Sequence, residues 1–150
     1  MQAVSIALKI PDNTAYTALV TLRRLCVDVE RVERGEIRFY EDGDVAALTA
    51  RILADETIFN PNKHRLTVLD ECTPRAGEVW IVPLCHPERS REAAVSKGGA
   101  VSWRLFDAKG APVDRAVLDS AIERLLCNPA IDRAITPELA RDRDIPGGSE

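Results

Sequence analysis

The sequence predicts an α+β protein made of two tandem βαββαβ-type halves, with antiparallel sheets covered by helices. Three observations predict it. Apolar residues alternate with a period of two in several segments and recur at helical spacing in the stretches between them. An Asn-Pro dipeptide follows an apolar, helical-looking run twice, in "ETIFNPNKHR" and in "RLLCNPAIDR". The stretch "IRFYEDG" at 37–43 also has a counterpart in "WRLFDAKG" at 103–110.

In the first half, Val4, Ile6, Leu8 and Ile10 alternate with Ala3, Ser5, Ala7 and Lys9, as in a strand with one face buried. In "PDNTAYTALVTLRRLC", Asp12 or Asn13 can cap a helix whose inward stripe is Ala15, Leu19, Leu22 and Cys26. "VDVERVERGEIRFYEDG" then reads as a long or paired strand. Val27 and Val29 alternate, Gly35 permits a bulge or turn, Ile37 and Phe39 alternate again, and Glu41 to Gly43 end it. Asp44 can cap a second helix through "VAALTARILADE", with Val45, Leu48 and Ile52 inward. "FNPNKH" stops that helix, and "RLTVL" supplies a further strand.

From Val79 a comparable order begins again. The strand "VWIVPLC" is followed by a short helical candidate, "PERSREAAVS", and Gly98 and Gly99 lead into "AVSWRLFDAKG". Pro112 suits a first helical turn, and Val113, Val117, Ala121 and Leu125, with Leu118 and Ile122 beside them, mark a buried stripe up to Cys127. Ile37 and Trp103 are 66 positions apart, and Asn60 and Asn128 are 68 apart. A two-residue insertion near Ala108 to Ala111 reconciles these offsets, so the chain reads as an internal duplication. The first repeat spans 1–70, a linker within "DECTPRAGE" spans 71–78, the second repeat spans 79–137, and a polar tail spans 138–150. Each half alone would have a small core, so the copies are expected to pack on each other. The Asn-Pro dipeptide is read as a helix stop, since proline disfavours helical backbone at the residue before it and asparagine tolerates helix-end angles.

Composition narrows the function classes. The 150 residues are 45% hydrophobic, and 20 basic side chains stand among 24 acidic ones for a net charge of -4. Nothing in that balance resembles a nucleic-acid footprint or a polybasic membrane anchor. The start, "MQAVSIALKIPDN", lacks the features of a signal peptide and no apolar run reaches membrane-span length, so a soluble cytoplasmic protein is expected. Cys26, Cys72, Cys85 and Cys127 form no C-x-x-C pair and are expected to be free thiols. His64, Cys72, Cys85 and His86 are chemically able to hold zinc, but their spacing fits no compact metal loop. In "CHPERSRE", Cys85 and His86 are the residue types of a thiol nucleophile and its base. Neighbours on a strand point to opposite faces, so a surface loop is the expectation. The charged run "RRLCVDVERVERGE" reads as the solvated side of a sheet. No G-x-G-x-x-G, P-loop, H-E-x-x-H or G-x-S-x-G is present, so no catalytic residue, metal or cofactor is expected.

"RLLCNPAIDRAI", an apolar helix end followed by Asn-Pro, a small residue, Ile and an acid, resembles the carboxy-terminal motif of the PurS family. "VERVERGEIRF" points the same way. PurS subunits typically carry a valine-, arginine- and glycine-bearing stretch leading into their second strand, which Val29, Val32, Arg34 and Gly35 resemble, with Glu36 where lysine is usual. PurS is the small accessory subunit of phosphoribosylformylglycinamidine synthase, a purine-pathway enzyme that uses ATP and glutamine-derived ammonia to convert an amide to an amidine. In that family PurS is not the catalyst; it dimerises and bridges the synthetase and glutaminase subunits. A duplicated PurS-like region also forms the amino terminus of single-chain synthases. The resemblance therefore implies ferredoxin-like halves joined as a pseudo-dimer and a scaffold whose partners are the synthetase and glutaminase, without nucleic acid or membrane. The unit would be a monomeric pseudo-dimer or a homodimer. Arg34, Gly35, Asn60, Pro61, Asn128, Pro129 and Asp132 would be structural or partner-facing motif positions. The alternative is a small-molecule-sensing regulatory module of paired ferredoxin-like halves.

Overall fold

The alternating run at the amino terminus forms β1 (Gln2–Leu8) in a computed structural model that describes residues 2–41, 44–83 and 99–137. Asp12 then caps α1 (Asn13–Arg24), its carboxylate accepting from the N–H groups of Thr14 and Ala15 at 2.9 and 3.2 Å. The helix closes at Cys26, whose φ of 63° lets the Val27 N–H return to the Leu22 carbonyl at 3.0 Å. β2 (Arg31–Tyr40) is one long strand. Gly35 sits within its regular pairing and makes neither bulge nor turn. Val27 and Val29, expected to alternate in that strand, precede it and are buried in a cluster with Leu22.

Asp44 caps α2 (Val45–Ala54), which buries Leu48 and Ile52. The helix meets the core through its middle and last turns, so Val45 in the first turn stays exposed rather than facing inward. β3 (His64–Val68), β4 (Glu78–Pro83) and β5 (Ala100–Phe106) follow. The helical candidate "PERSREAAVS", the Cys85–His86 pair and the polar tail lie outside the described residues.

Pro112 does not open the next helix. It bridges to Phe106, and the Val113 N–H bonds the Leu105 carbonyl at 3.1 Å. α3 (Arg115–Ala121) starts only after Asp114, which caps the Val117 N–H at 2.9 Å. It runs into a π-helical turn, Ile122–Leu126, where the Cys127 N–H reaches back to the Ile122 carbonyl at 3.1 Å. The additional residue in this turn advances the helical phase by one position. Leu126 therefore takes the inward place at 8% exposure, whereas Leu125, expected to end the buried stripe, is 39% exposed. β6 (Asp132–Ile135) is the last strand among the described residues.

The strands form one antiparallel sheet in the order β3-β1-β2-β5-β4-β6, rather than a separate sheet for each half. Among the described residues, 2–68 and 78–135 each contribute three strands, whereas a βαββαβ unit has four. The halves fuse because β2 and β5 pair directly, from Arg31 opposite Phe106 to Ile37 opposite Ala100, which leaves neither as an open edge.

Register places all three helices among the described residues on one face. Val4 lies opposite Arg38, and Val32, on the same side of β2, lies opposite Leu105. α2 packs there with Val4 and Ile6, while Leu22 of α1 and Leu118 of α3 pack with Val79, Ile81 and Leu105. On the other face, Ala3, Ile37, Trp80 and Ala100 are buried with Leu69, and Cys72 packs against them, so the linker leaving edge strand β3 contributes to this core. Phe39 meets Trp80 edge-to-face at 5.5 Å. No helix among the described residues is long and apolar enough to cross a membrane.

Candidate functional site

The motif positions singled out by sequence fall in three places. Arg34 stands on the helix-bearing face of β2, where its Nε donates to Asp12 Oδ2 at 2.9 Å. Because Asp12 also caps α1, this pair fastens the helix start to a central strand. Burial pushes the Asp12 carboxyl up, but the Arg34 hydrogen bond and charge and the capped N–H groups outweigh it and hold the group below its ordinary value. Gly35, pointing to the opposite face, lies between Ala7 and Ser102. A Cβ there would come within 3.3 Å of both Ile6 O and Ser5 Oγ.

The two Asn-Pro segments are built alike. Asn60 Oδ1 accepts from the Asn62 N–H at 2.9 Å, and Asn128 Oδ1 accepts from the Ala130 N–H at 3.1 Å. The carbonyls of the two asparagines accept from the N–H groups of His64 and Asp132 at 2.8 and 2.7 Å. In return, His64 Nδ1 accepts from the Asn60 N–H at 3.0 Å, and Asp132 Oδ2 accepts from the Asn128 N–H at 3.4 Å. Pro61 and Pro129 occupy the second position of these turns, where a fixed φ favours the bend. Since the turns lead into β3 and β6, the opposite edges of the sheet, the structure does not bring the motif positions together into one site.

A different group does converge. One row across the face opposite the described helices runs Arg65, Ala7, Gly35, Ser102, Trp80. The three small residues in its middle leave a hollow of about 110 Å³, walled by Arg65, Thr67, Arg75, Arg104 and Glu33. Arg104 Nη1 lies 3.6 Å from Glu33 Oε2. Its guanidinium also stacks 5.1 Å from the Phe106 ring centre. Its Nε is nevertheless buried with no acceptor. A larger hollow of about 760 Å³ follows the linker past Val113 and Leu118 and gathers no comparable set of donors among its lining residues.

Beside the small hollow, the fully buried Glu78 accepts from Arg75 Nε at 3.1 Å, Arg75 Nη2 at 2.9 Å and the Arg75 N–H at 2.8 Å, and from Ser102 Oγ. Burial raises its carboxyl, but these hydrogen bonds and the Arg75 charge prevail and hold it below the usual glutamate range. Glu78 therefore stays ionised and fixes Arg75.

No group of three or more His, Cys, Asp and Glu among the described residues is placed to hold a metal. Cys26 and Cys127 are free thiols. Burial and the nearby Asp132 push the Cys127 thiol up, away from the thiolate a nucleophile needs. The arginine-lined hollow went unseen in the sequence because its walls come from four strands and the linker. The one available signal was the run of small residues, Ala3, Ser5 and Ala7, on one side of β1. No family model matches the chain, and no curated protein does.

Proposed function

We propose that the chain is a non-catalytic accessory subunit of the PurS kind, in which two ferredoxin-like halves take the place of a dimer and bridge a synthetase and a glutaminase in purine biosynthesis. The observation carrying this reading is the strand order, which is the same from either edge when the first-half strands β1, β2 and β3 are matched to β4, β5 and β6. The equivalent Asn-Pro turns before both outer strands support it, as do the sequence features shared with PurS at Val29 to Gly35 and Cys127 to Asp132. Arg34 and Gly35 then have structural roles, holding the α1 cap and allowing close approach at the centre of the sheet. Partner contact is assigned to the outer surface and not to these residues.

The test mixes the purified chain with the synthetase and glutaminase of the same cell under substrate and nucleotide. Glutamine-dependent amidine formation and complex mass are then measured. One chain should be incorporated where a PurS dimer would sit, with activity that depends on it. The chain alone should neither hydrolyse ATP nor release ammonia from glutamine. Unchanged activity together with no complex would end the scaffold reading and leave a small-molecule-sensing module as the better account.

A further inference from the structure

We propose that the hollow on the sheet face opposite the described helices, floored by Gly35 and walled by Arg65, Arg75 and Arg104, binds one small oxyanion, a phosphate or carboxylate group. Its shape follows from register. Ala7 lies opposite Gly35 and Gly35 opposite Ser102, so the middle of the row carries only a methyl, a hydrogen and a hydroxymethyl, while Arg65 bounds it on β3. At about 110 Å³ the space admits one oxyanion group and not a nucleotide.

The charge there is opposite to that of the chain. The hollow's lining carries four arginines, Arg34, Arg65, Arg75 and Arg104, and one carboxylate, Glu33, with Glu78 beside it and Arg34 held by Asp12, in a protein whose net charge is -4. Arg75 is held by Glu78, and Arg31 and Arg104 share Glu33 at 3.7 and 3.6 Å. Arg65 has no partner among the described residues. Burial, and next the charge of Arg75, depress the Arg104 pKa, so the two guanidiniums repel one another across the hollow. An oxyanion would relieve that repulsion, and planar guanidinium groups match both phosphate and carboxylate oxygens. The Ser5 and Thr67 hydroxyls line the same space as further donors.

The experiment titrates the full chain with inorganic phosphate, glycerol 3-phosphate, acetate and chloride at matched ionic strength. Thermal unfolding and amide chemical shifts are followed together. Phosphate or acetate, but not chloride, should raise the unfolding temperature in a saturable way and shift the Ser5, Gly35 and Ser102 amides while leaving those of α2 unmoved. A response to both phosphate probes and none to acetate assigns the site to phosphate groups, free or esterified; the reverse assigns it to carboxylates. Arg65→Gln, at an exposed side chain with no ion pair, should leave the fold intact and weaken binding at least tenfold. Equal effects of all four salts, or a response unchanged in Arg65→Gln, would overturn the proposal. The hollow's affinity does not depend on partner subunits, so failure here leaves the scaffold reading standing, and loss of the scaffold reading leaves this one intact.

Discussion

Exchanging Leu125 or Leu126 for alanine tests the π-helical turn that ends α3. Leu→Ala removes carbon atoms worth roughly 2.4 kcal/mol when fully buried, at about 0.8 kcal/mol for each. At Leu126, 8% exposed in the main cluster, nearly all of that is lost, and the cavity left behind brings the expected cost to about 3 to 4 kcal/mol. Leu125 is 39% exposed and lines an open groove with Thr17, Thr21 and Trp103. Only part of its transfer energy is at stake there, no closed cavity forms, and alanine gains slightly in helix propensity, so the expected cost is about 1 kcal/mol. Urea unfolding of both variants, read by far-UV circular dichroism with m-values compared, measures the difference. A regular α-helical end would reverse the order, because Leu125 follows buried Ala121 by four residues. If Leu125→Ala proves the more damaging, the π turn is not present in solution.

Two further outcomes follow from the hydrogen bonds. Asn60→Ala and Asn128→Ala should each cost about 1 kcal/mol, the net worth of one side-chain to backbone bond, and the double variant about 2, because the turns sit at opposite edges of the sheet. Strong non-additivity in chemical denaturation would contradict that placement. Glu78→Gln should lower stability by about 1 to 3 kcal/mol at neutral pH by removing a charge hydrogen-bonded to Arg75. Because the folded-state pKa of Glu78 lies below its unfolded value of about 4.3, its contribution is fully present above that value and disappears as pH falls through the folded one. The gap between wild type and variant should therefore narrow as pH drops below about 4.3. A constant gap down to strongly acidic pH would show that Glu78 does not titrate as a stabilising carboxylate.

The sequence was most legible where one face of an element is buried and the other is not. The α1 stripe through Ala15 and Leu22 and the caps at Asp12 and Asp44 depend on neighbours within four residues and appear as read, whereas Cys26, read as the inward end of that stripe, is exposed beyond the helix. Legibility failed where a long-range bond decides. Pro112 looked like a helix start, but Phe106 takes it into a bridge, and the sharp approach at Gly77, with φ of 69° and Pro112 Cβ 2.8 Å from where its own Cβ would be, fixes that corner. In β1 the successive residues Ala3, Val4, Ser5 and Ile6 are all buried, so alternation between apolar and polar could not say that both faces are covered. Size carried that information: the large residues meet α2, and the small ones lie on the face where the hollow forms. The hollow itself was illegible because Arg65 and Arg104 are brought to one side only by the pairing of β1 with β3 and of β2 with β5.

The Asn-Pro segments show how a recurring dipeptide can be given a mistaken local meaning. Read as helix stops, they should stand at a fixed distance from their helices, yet α2 ends at Ala54, well before Asn60, while the π turn reaches Leu126, immediately before Cys127 and Asn128. What the copies share lies downstream. Each asparagine accepts from the N–H two residues on, and each carbonyl accepts from the residue four on, which is His64 in one case and Asp132 in the other. Those two residues are the first of β3 and β6, and they are separated by 68 positions, the same offset as Asn60 and Asn128. The dipeptide therefore keeps register with the strand it starts and not with the helix it follows. Its physical role is to turn the chain into an edge strand, with the side chain four residues later returning a hydrogen bond to the asparagine N–H. Histidine and aspartate both provide that acceptor, which is why the turn persists although the residues around it differ.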